Sequence, residues 1–250
     1  MPIATLSASR KTGYRADIRS VAADRPLAGL TVLVIEDSRV ASEAVRLLCL
    51  RSGARIRRAD CLASAERHLA AYRPSIALVD MTLPDGDGAE LIEAFDRMRP
   101  RVPVIIGISG DPGRRESALA AGARAFLAKP IESVALFQQT ILGALPADER
   151  PKGLRLLPDD YVVPHSSALR EDLLHAVTLL EAGAGACAES GSRAADYLSG
   201  FLAGVARSAR DAALEDAAES ALAAPPAARS TAFARLEDLV RMRIAQLSPA

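Results

Sequence analysis

The fold of this chain is decided by the stretch Ser75-Ile-Ala-Leu-Val-Asp80-Met-Thr-Leu-Pro84-Asp-Gly-Asp-Gly88. The apolar run from Ile76 to Val79 has no polar position, which is typical of a central strand in a parallel sheet covered by helices on both faces. Such sheets place functional groups just beyond the carboxyl ends of their strands. Asp80 stands at that position, and Pro84 with the glycines after it predicts a tight loop.

On both sides of this stretch, apolar runs alternate with helical patterns. Strands are predicted at Leu30–Ile35, Arg55–Ala59, Ile76–Asp80, Val102–Ile108 and Ala125–Ala128. Helices are predicted from Ser38 to Gly53 and at Ser64–Tyr72, Ala89–Met98, Arg114–Ala121 and Ile131–Leu145. This alternation predicts an α/β fold with a five-stranded, doubly wound parallel sheet of the flavodoxin-like kind.

Composition divides the chain into four parts: residues 1–28, 29–145, 146–165 and 166–250. The first part is polar and basic without periodicity, so we expect a mobile arm. The second is the α/β domain, and the third, rich in proline, is a linker. The last is a smaller all-α domain, with alanine-rich helices at Ser167–Ala182, Ser192–Ala209, Asp211–Ala223 and Thr231–Leu247. Its three apolar stripes require each other, or a second subunit, to be buried.

The overall composition is that of an ordinary soluble protein. The formal net charge is zero, so no global field attracts nucleic acid or an anionic membrane. Cys49, Cys61 and Cys187 are scattered and lack metal-ligand spacing, which favours reduced thiols in the cytoplasm. The first residues lack the apolar core of a signal peptide, and no run is long enough to span a membrane.

Chemically active side chains stand at the predicted strand ends. They are Glu36, Asp37, Asp80, Ser109 and Lys129. A doubly wound sheet brings such strand ends together at one edge. Carboxylates in one pocket repel each other unless a cation neutralises them, and an oxygen-ligated site suits Mg²⁺. Asp80 could then act as an oxygen nucleophile towards phosphorus.

These residues resemble the receiver domain of two-component response regulators over about residues 29–145. The motifs, in chain order, are Glu36-Asp37, Asp80 with Pro84 and Gly88, Ser109-Gly110, Phe126, and Lys129-Pro130. The resemblance implies that a histidine kinase or a histidine-phosphotransfer protein phosphorylates Asp80. It also implies that Asp37, Asp80 and the backbone carbonyl of Thr82 ligate Mg²⁺, with Glu36 acting through metal-bound water. Enzymatic chemistry beyond the phosphorylation and dephosphorylation of Asp80 is not expected.

The resemblance assigns further roles around Asp80. Ser109 is the switch hydroxyl, Phe126 the switch aromatic and Lys129 the phosphoryl-binding cation, while the Lys129–Pro130 peptide is typically cis. Ser109 would move towards the phosphoryl group, and Phe126 would rotate into the space that Ser109 leaves. Thr82 and Asp111 would flank the approach of water and set the lifetime of the phosphate.

Simpler interpretations remain for several of these residues. Phe126 could be an ordinary core residue, and Ser109 beside a glycine could be a turn serine. Asp85 and Asp87 imitate the Asp-x-Asp motif of phosphoaspartyl hydrolases and half of a calcium loop. The apolar strand ends at Asp80 instead, so we expect both to be loop carboxylates.

The helical domain gives less information about its function. Residues 151–250 hold more acidic than basic side chains, whereas nucleic-acid-binding surfaces are usually basic. A protein-interaction or dimerisation output is therefore the leading hypothesis, with the stripe from Phe233 to Leu247 as its interface. The alternatives are a transcriptional or RNA-binding regulator and a phosphotransfer protein that uses His175. The helical spacing places His175 away from the apolar stripe, so we expect an exposed side chain.

Overall fold

The computed structural model describes residues 25–150, 158–184 and 191–247. Most of the basic arm expected at residues 1–28 lies outside these ranges, as do residues 151–157 of the expected linker. Cys187 also lies outside them. None of the described helices is both long and apolar enough to cross a membrane.

Residues 31–144 form the predicted α/β fold. Its strands and the hairpin after Asp80 are β1 (Thr31–Ile35), β2 (Arg55–Ala59), β3 (Ile76–Asp80), β4 (Thr82–Leu83), β5 (Gly86–Asp87), β6 (Val104–Ser109) and β7 (Ala125–Ala128). Its helices are α1 (Arg39–Ser52), α2 (Leu62–Ala71), α3 (Gly88–Arg97), α4 (Arg114–Ala120) and α5 (Val134–Ala144). Five strands pair in parallel in the order β2-β1-β3-β6-β7, so the predicted doubly wound sheet is confirmed.

Strand β3 lies at the centre of the sheet with every residue buried, as its uninterrupted apolar run predicts. Leu78 packs on one face of the sheet, in a cluster that includes Phe137 of α5. Val79 packs on the other face, in a cluster that includes Phe95 of α3. The strand therefore has no solvent-exposed face. Its surroundings become polar at its carboxyl end.

The loop after Asp80 contains a short antiparallel hairpin, β4 paired with β5, that the sequence does not predict. Asp85 accepts hydrogen bonds from the first backbone N–H groups of α2, 2.9 Å from Leu62 N. Asp87 caps α3 by accepting from Ala89 N at 2.9 Å. Both are loop carboxylates, as expected, and both cap helices that flank β3.

Gly88 is the tightest point of this loop, because a Cβ atom there would overlap the backbone carbonyl of Asp80. We predict that Gly88→Ala lowers the free energy of unfolding by about 2–3 kcal/mol, since backbone atoms cannot move aside. Urea unfolding measures the change. The matched control is Gly143→Ala in α5, where a Cβ meets no atom within 4 Å. Equal effects of the two substitutions would contradict the prediction.

Residues 166–184 and 191–247 form a second, all-α unit, as the sequence predicts. Its helices are α6 (Ser166–Leu179), which continues as a π-helical turn to Ala184, α7 (Gly191–Ala209), α8 (Ala212–Ala223) and α9 (Pro226–Leu247). Helix α9 begins at Pro226, before the predicted Thr231, because proline is tolerated in the first turn of a helix. Likewise α5 begins at Val134 and not at Ile131, since the Ser133 side chain caps it.

The apolar stripes of the four helices bury one another. Phe233, Leu236 and Val240 of α9 are at most 4% exposed and lie in one cluster with residues of α6, α7 and α8. The hypothesis that this stripe is an open interface is therefore wrong for these three residues. The helical unit satisfies its own core without a second subunit.

The connection between the two units is anchored on the α/β part. Residues 158–165 run extended, and Tyr161 forms an antiparallel bridge with Ser133. Val162 is buried in the α/β core. In the described parts of the chain, neither apolar cluster of the sheet includes a residue of α6–α9, and the helical cluster includes none of the sheet. The two units have separate hydrophobic cores.

Candidate functional site

The predicted strand-end residues meet at one edge of the sheet. Glu36 and Asp37 follow β1, Asp80 and Ser109 end β3 and β6, and Lys129 follows β7. Lys129 Nζ lies 2.7 Å from Glu36 Oε2 and 2.8 Å from Asp80 Oδ2. One carboxylate oxygen each from Glu36, Asp37 and Asp80 lies within 4.8 Å of the others. Three acids therefore share one buried cation.

Burial and the neighbouring charges shift the pKa values of the side chains in this cluster. Glu36 is fully buried, and burial raises its pKa well above the usual range although Lys129 opposes the shift. Burial, reinforced by Asp80, also raises the pKa of Asp37. Burial by itself lowers the pKa of Lys129, but the charges of Asp80 and Glu36 outweigh it and the net shift is upward. The lysine therefore keeps its positive charge.

The acid cluster fits a divalent cation. Glu36 Oε2 is buried and has no aligned hydrogen-bond donor among the described residues, only the ion pair with Lys129. Carboxylate oxygens are the ligands that Mg²⁺ prefers, and a cation there would relieve the repulsion among the acids. Thr82, whose backbone carbonyl the sequence nominates as a ligand, lies at the same cleft.

The remaining predicted residues surround the acids at different depths. Ser109 is 4% exposed, and its Oγ accepts a hydrogen bond from Asp111 N at 3.1 Å. Thr82 and Asp111 are exposed at the mouth of the cleft. Phe126 lies in the sheet core, beside Gly107 on the neighbouring strand, and does not line the cleft. The expected cis peptide between Lys129 and Pro130 is present.

The helical unit covers part of the outer side of the cleft. The cleft has a volume of about 410 Å³ between the strand ends and helices α7 and α8, and it remains partly open to solvent. The α7 face that carries Tyr197, Gly200, Gly204 and Arg207 looks into it. A volume of this size suits a small molecule and not a folded protein.

Two side chains of α7 bind the sheet edge. The Tyr197 hydroxyl donates a hydrogen bond to Asp37 Oδ2. Burial, together with the charge of Asp37, raises the pKa of Tyr197, so the hydroxyl keeps its proton. Arg207 Nη1 donates to the carbonyl oxygen of Gly110 at 3.1 Å, and Glu215 of α8 holds the same guanidinium at 2.8 Å. Helix α7 thereby contacts the loops after β1 and β6.

A third contact comes from Asp172 of α6, which is 1% exposed. Its carboxylate accepts hydrogen bonds from Ser38 Oγ at 2.8 Å, Arg39 N at 2.6 Å and Val40 N at 3.0 Å. Helix N-termini present unpaired N–H groups and a positive partial charge, so an anion is favoured there. The helical unit therefore caps the helix that directly follows the Glu36-Asp37 loop.

Sequence reasoning missed Asp172, Tyr197 and Arg207. The burial of Asp172 was detectable from the sequence, because the residue lies on the apolar face of α6 between Leu169 and Ala176. A carboxylate is buried on such a face only when it has hydrogen-bond or ion-pair partners. Tyr197 and Arg207 had no such signal, since nothing in the periodicity of α7 distinguishes a face that packs on another unit from one in water.

His175 stands apart from this site. Its side chain is exposed, which confirms the prediction from helical spacing, and its ring lies nearly perpendicular to that of Phe201 at a centroid distance of 5.7 Å. It is not among the residues that line the cleft.

The fold and the cleft define a flavodoxin-like α/β protein with three acids and a lysine at the strand carboxyl ends. Residues 32–141 match the response regulator receiver domain family. This part of the chain is therefore a response regulator receiver domain, and the helical unit lies outside the match.

Curated relatives share the receiver part. The KDP operon transcriptional regulatory protein KdpE of Escherichia coli is 33% identical over 100 residues, which are 40% of this chain and 44% of KdpE. The probable transcriptional regulatory protein TcrX of Mycobacterium tuberculosis is 28% identical over 141 residues, 55% of this chain and 60% of TcrX. The chain thus spans about half the length of the curated relatives it matches.

Among solved structures, the receiver domain of a Pseudomonas aeruginosa PAO1 sensor histidine kinase, with a magnesium ion coordinated in its active-site cleft, is 28% identical to this chain. The match has a TM-score of 0.42 and covers 47% of this chain and 98% of that domain.

Proposed function

We propose that this protein is a phosphorylation-controlled response regulator that accepts a phosphoryl group on Asp80. The observation that carries the proposal is the convergence of Glu36, Asp37 and Asp80 within 4.8 Å around the Lys129 ammonium. The donor is a histidine kinase or a histidine-phosphotransfer protein. Free thiols at Cys49 and Cys61 fit a cytoplasmic location.

The reaction is a displacement at phosphorus. A carboxylate oxygen of Asp80 attacks, the new P–O bond forms as the P–N bond of a phosphohistidine breaks, and the imidazole leaves with the electron pair. Phosphoryl transfer depends mainly on positioning and charge neutralisation. Lys129, already 2.8 Å from Asp80, neutralises the added negative charge, and Ser109 offers a hydroxyl to a phosphoryl oxygen.

A bound Mg²⁺ would add positive charge beside the phosphoryl oxygens. In this proposal Asp37, Asp80 and the Thr82 carbonyl hold it, and Glu36 acts through water. Thr82 and Asp111, exposed at the mouth, control the approach of water and so the phosphate lifetime. Ser109 moves towards the phosphoryl group, and Phe126, packed beside Gly107, responds to that movement.

Mg²⁺ should stabilise the fold. At a concentration about ten times the Kd, linkage adds about 1.4 kcal/mol to the free energy of unfolding. We expect a rise in Tm with MgCl₂, measured by calorimetry, that NaCl of matched ionic strength does not reproduce. Asp37→Asn should lose the rise, and an undiminished rise in that variant would place the metal elsewhere.

The helical unit is proposed to act as a protein-binding output. The named relatives are transcriptional regulators, but their match with this chain does not extend to most of their length. Residues 166–247 carry an excess of acidic side chains, which disfavours a phosphate backbone. Self-association would have to use residues other than Phe233, Leu236 and Val240, since these three are buried in the helical unit.

Labelled phosphoryl transfer tests the proposal. The full-length protein is incubated with radiolabelled acetyl phosphate and Mg²⁺, and the modified peptide is mapped by mass spectrometry. Label on Asp80, released by hydroxylamine as expected of an acyl phosphate, supports the proposal. Label that appears on His175 and disappears in His175→Gln would instead favour a phosphotransfer protein.

A further inference from the structure

Polar attachments of the helical unit lie around the mouth of the acid cleft. Asp172 holds the start of α1, Tyr197 holds Asp37, and Arg207 holds the loop after Ser109. Arg210 adds an ion pair with Glu132 at 2.8 Å, beyond the Lys129–Pro130 peptide. Each loop that carries a residue of the acid cleft, apart from the Asp80 hairpin, is therefore fastened to the helical unit.

The attachment is polar, and this bears on whether it can open. In the described parts of the chain, the apolar clusters of the two units share no residue. Polar inter-domain contacts exchange readily with water, so relative motion of the units is the expected behaviour. Opening would expose groups that water can hydrate, such as the Asp172 carboxylate and the N–H groups of Arg39 and Val40.

The contact between the two units occupies the carboxylate of Asp37, which is a proposed metal ligand. Its Oδ1 accepts from Ser38 N at 2.9 Å, and its Oδ2 accepts from the Tyr197 hydroxyl. Both oxygens of a proposed metal ligand are thus engaged, one of them by the helical unit. A cation that draws on the same lone pairs competes with Tyr197.

We propose that the helical unit, helices α6–α9, is an intramolecular gate that covers the acid cleft against protein phosphodonors. The hydrogen bond from Tyr197 to Asp37 is its latch, and divalent metal binding opposes this latch. This inference deepens the proposed function and rests on it. Small phosphodonors fit the cleft of about 410 Å³ and can enter it from solvent, whereas a histidine carried on a folded protein cannot reach Asp80 until the gate moves. By linkage, anything that opens the gate strengthens metal binding, and metal binding favours opening by the same factor.

The test measures the Mg²⁺ dissociation constant of the full-length protein by calorimetric titration. Tyr197→Phe removes only the latch hydroxyl, and we expect Mg²⁺ to bind about tenfold tighter, the order expected for one hydrogen bond to a charged group. Tyr161→Phe is the matched control, since this tyrosine is 63% exposed on the connecting segment. It should leave the constant unchanged.

A second variant separates a gate from a local effect on Asp37. Asp172 contacts none of the three acids, and Asp172→Ala removes three hydrogen bonds between the helical unit and the start of α1. It should therefore also tighten Mg²⁺ binding, by about threefold. Asp216→Ala, at an exposed site on α8, is its control. Small-angle X-ray scattering should show a larger radius of gyration for Asp172→Ala, and for the wild type after Mg²⁺ is added.

The outcomes are distinguishable. Tighter binding in Tyr197→Phe and Asp172→Ala together with an expanded particle supports the gate. Tighter binding in Tyr197→Phe alone, or equal constants in all variants, overturns the gate but leaves the metal site and the proposed function standing. Absence of Mg²⁺ binding in every variant, with folding verified by circular dichroism, would overturn the metal site and the latch with it.

Discussion

Asp80→Asn should abolish phosphoryl incorporation from acetyl phosphate while the protein remains folded. The amide is nearly the same size as the carboxylate but is not a competent oxygen nucleophile. The substitution also removes one of three crowded acids, so the buried site is not left with additional negative charge. We expect no labelled protein above background at times when the wild type is fully labelled, by intact-mass measurement.

Asp85→Asn is the matched control, because Asp85 lies in the same loop and caps α2 without entering the cleft. It should retain phosphoryl incorporation at the wild-type level. Labelling of Asp80→Asn at that level would show that the nucleophile lies elsewhere, and treatment with alkali, which hydrolyses an acyl phosphate but not a phosphohistidine, would tell the two adducts apart.

Lys129→Gln should be among the most destabilising single substitutions in the molecule. It leaves Glu36 and Asp80 buried without their cation, and removing one partner of a buried ion pair typically costs about 3–5 kcal/mol. Protonation of Glu36 limits the loss, so we expect about 2–4 kcal/mol near neutral pH in urea unfolding. Mg²⁺ should recover part of it, since it replaces the missing positive charge.

The pH dependence of this deficit follows from the direction of the pKa shifts. Burial raises the folded-state pKa of Glu36 and Asp37 above their unfolded values, and loss of Lys129 raises that of Glu36 further. As the pH falls, the folded Lys129→Gln variant therefore takes up protons at a higher pH than its own unfolded chain or the folded wild type does. The difference in the free energy of unfolding between wild type and variant should shrink between about pH 7 and pH 5. Arg97→Gln, which breaks an exposed pair with Glu93, should change stability by less than about 0.5 kcal/mol at either pH. A deficit that grows towards acid pH would contradict the assignment.

The sheet and the acid cluster were predictable because both follow from short-range rules. An apolar run such as that of β3 specifies a buried parallel strand, and parallel strands align their carboxyl ends, so Asp80 and Lys129 meet although 49 residues separate them. No rule of this kind connects Tyr197 with Asp37. Their contact depends on how two separately folded units pack, which periodicity within either unit does not encode.

The helical unit shows a related limit. The stripe at Phe233, Leu236 and Val240 was recognised correctly as apolar, but a stripe does not identify what covers it. In the structure, helices α6, α7 and α8 of the same chain cover the stripe. Asp172 was not among the predicted site residues, yet its position between Leu169 and Ala176 on the apolar face indicated burial and hence a partner.

The anchoring of Val162 in the α/β core has a consequence for any competitor of the helical unit. Only four residues lead from Val162 to the start of α6 at Ser166, a span of at most about 14 Å. A module on so short a tether has an effective local concentration on the order of millimolar. A kinase or output protein present at micromolar levels must therefore outbind the chain's own helices by about a thousandfold, unless the acceptor site changes first.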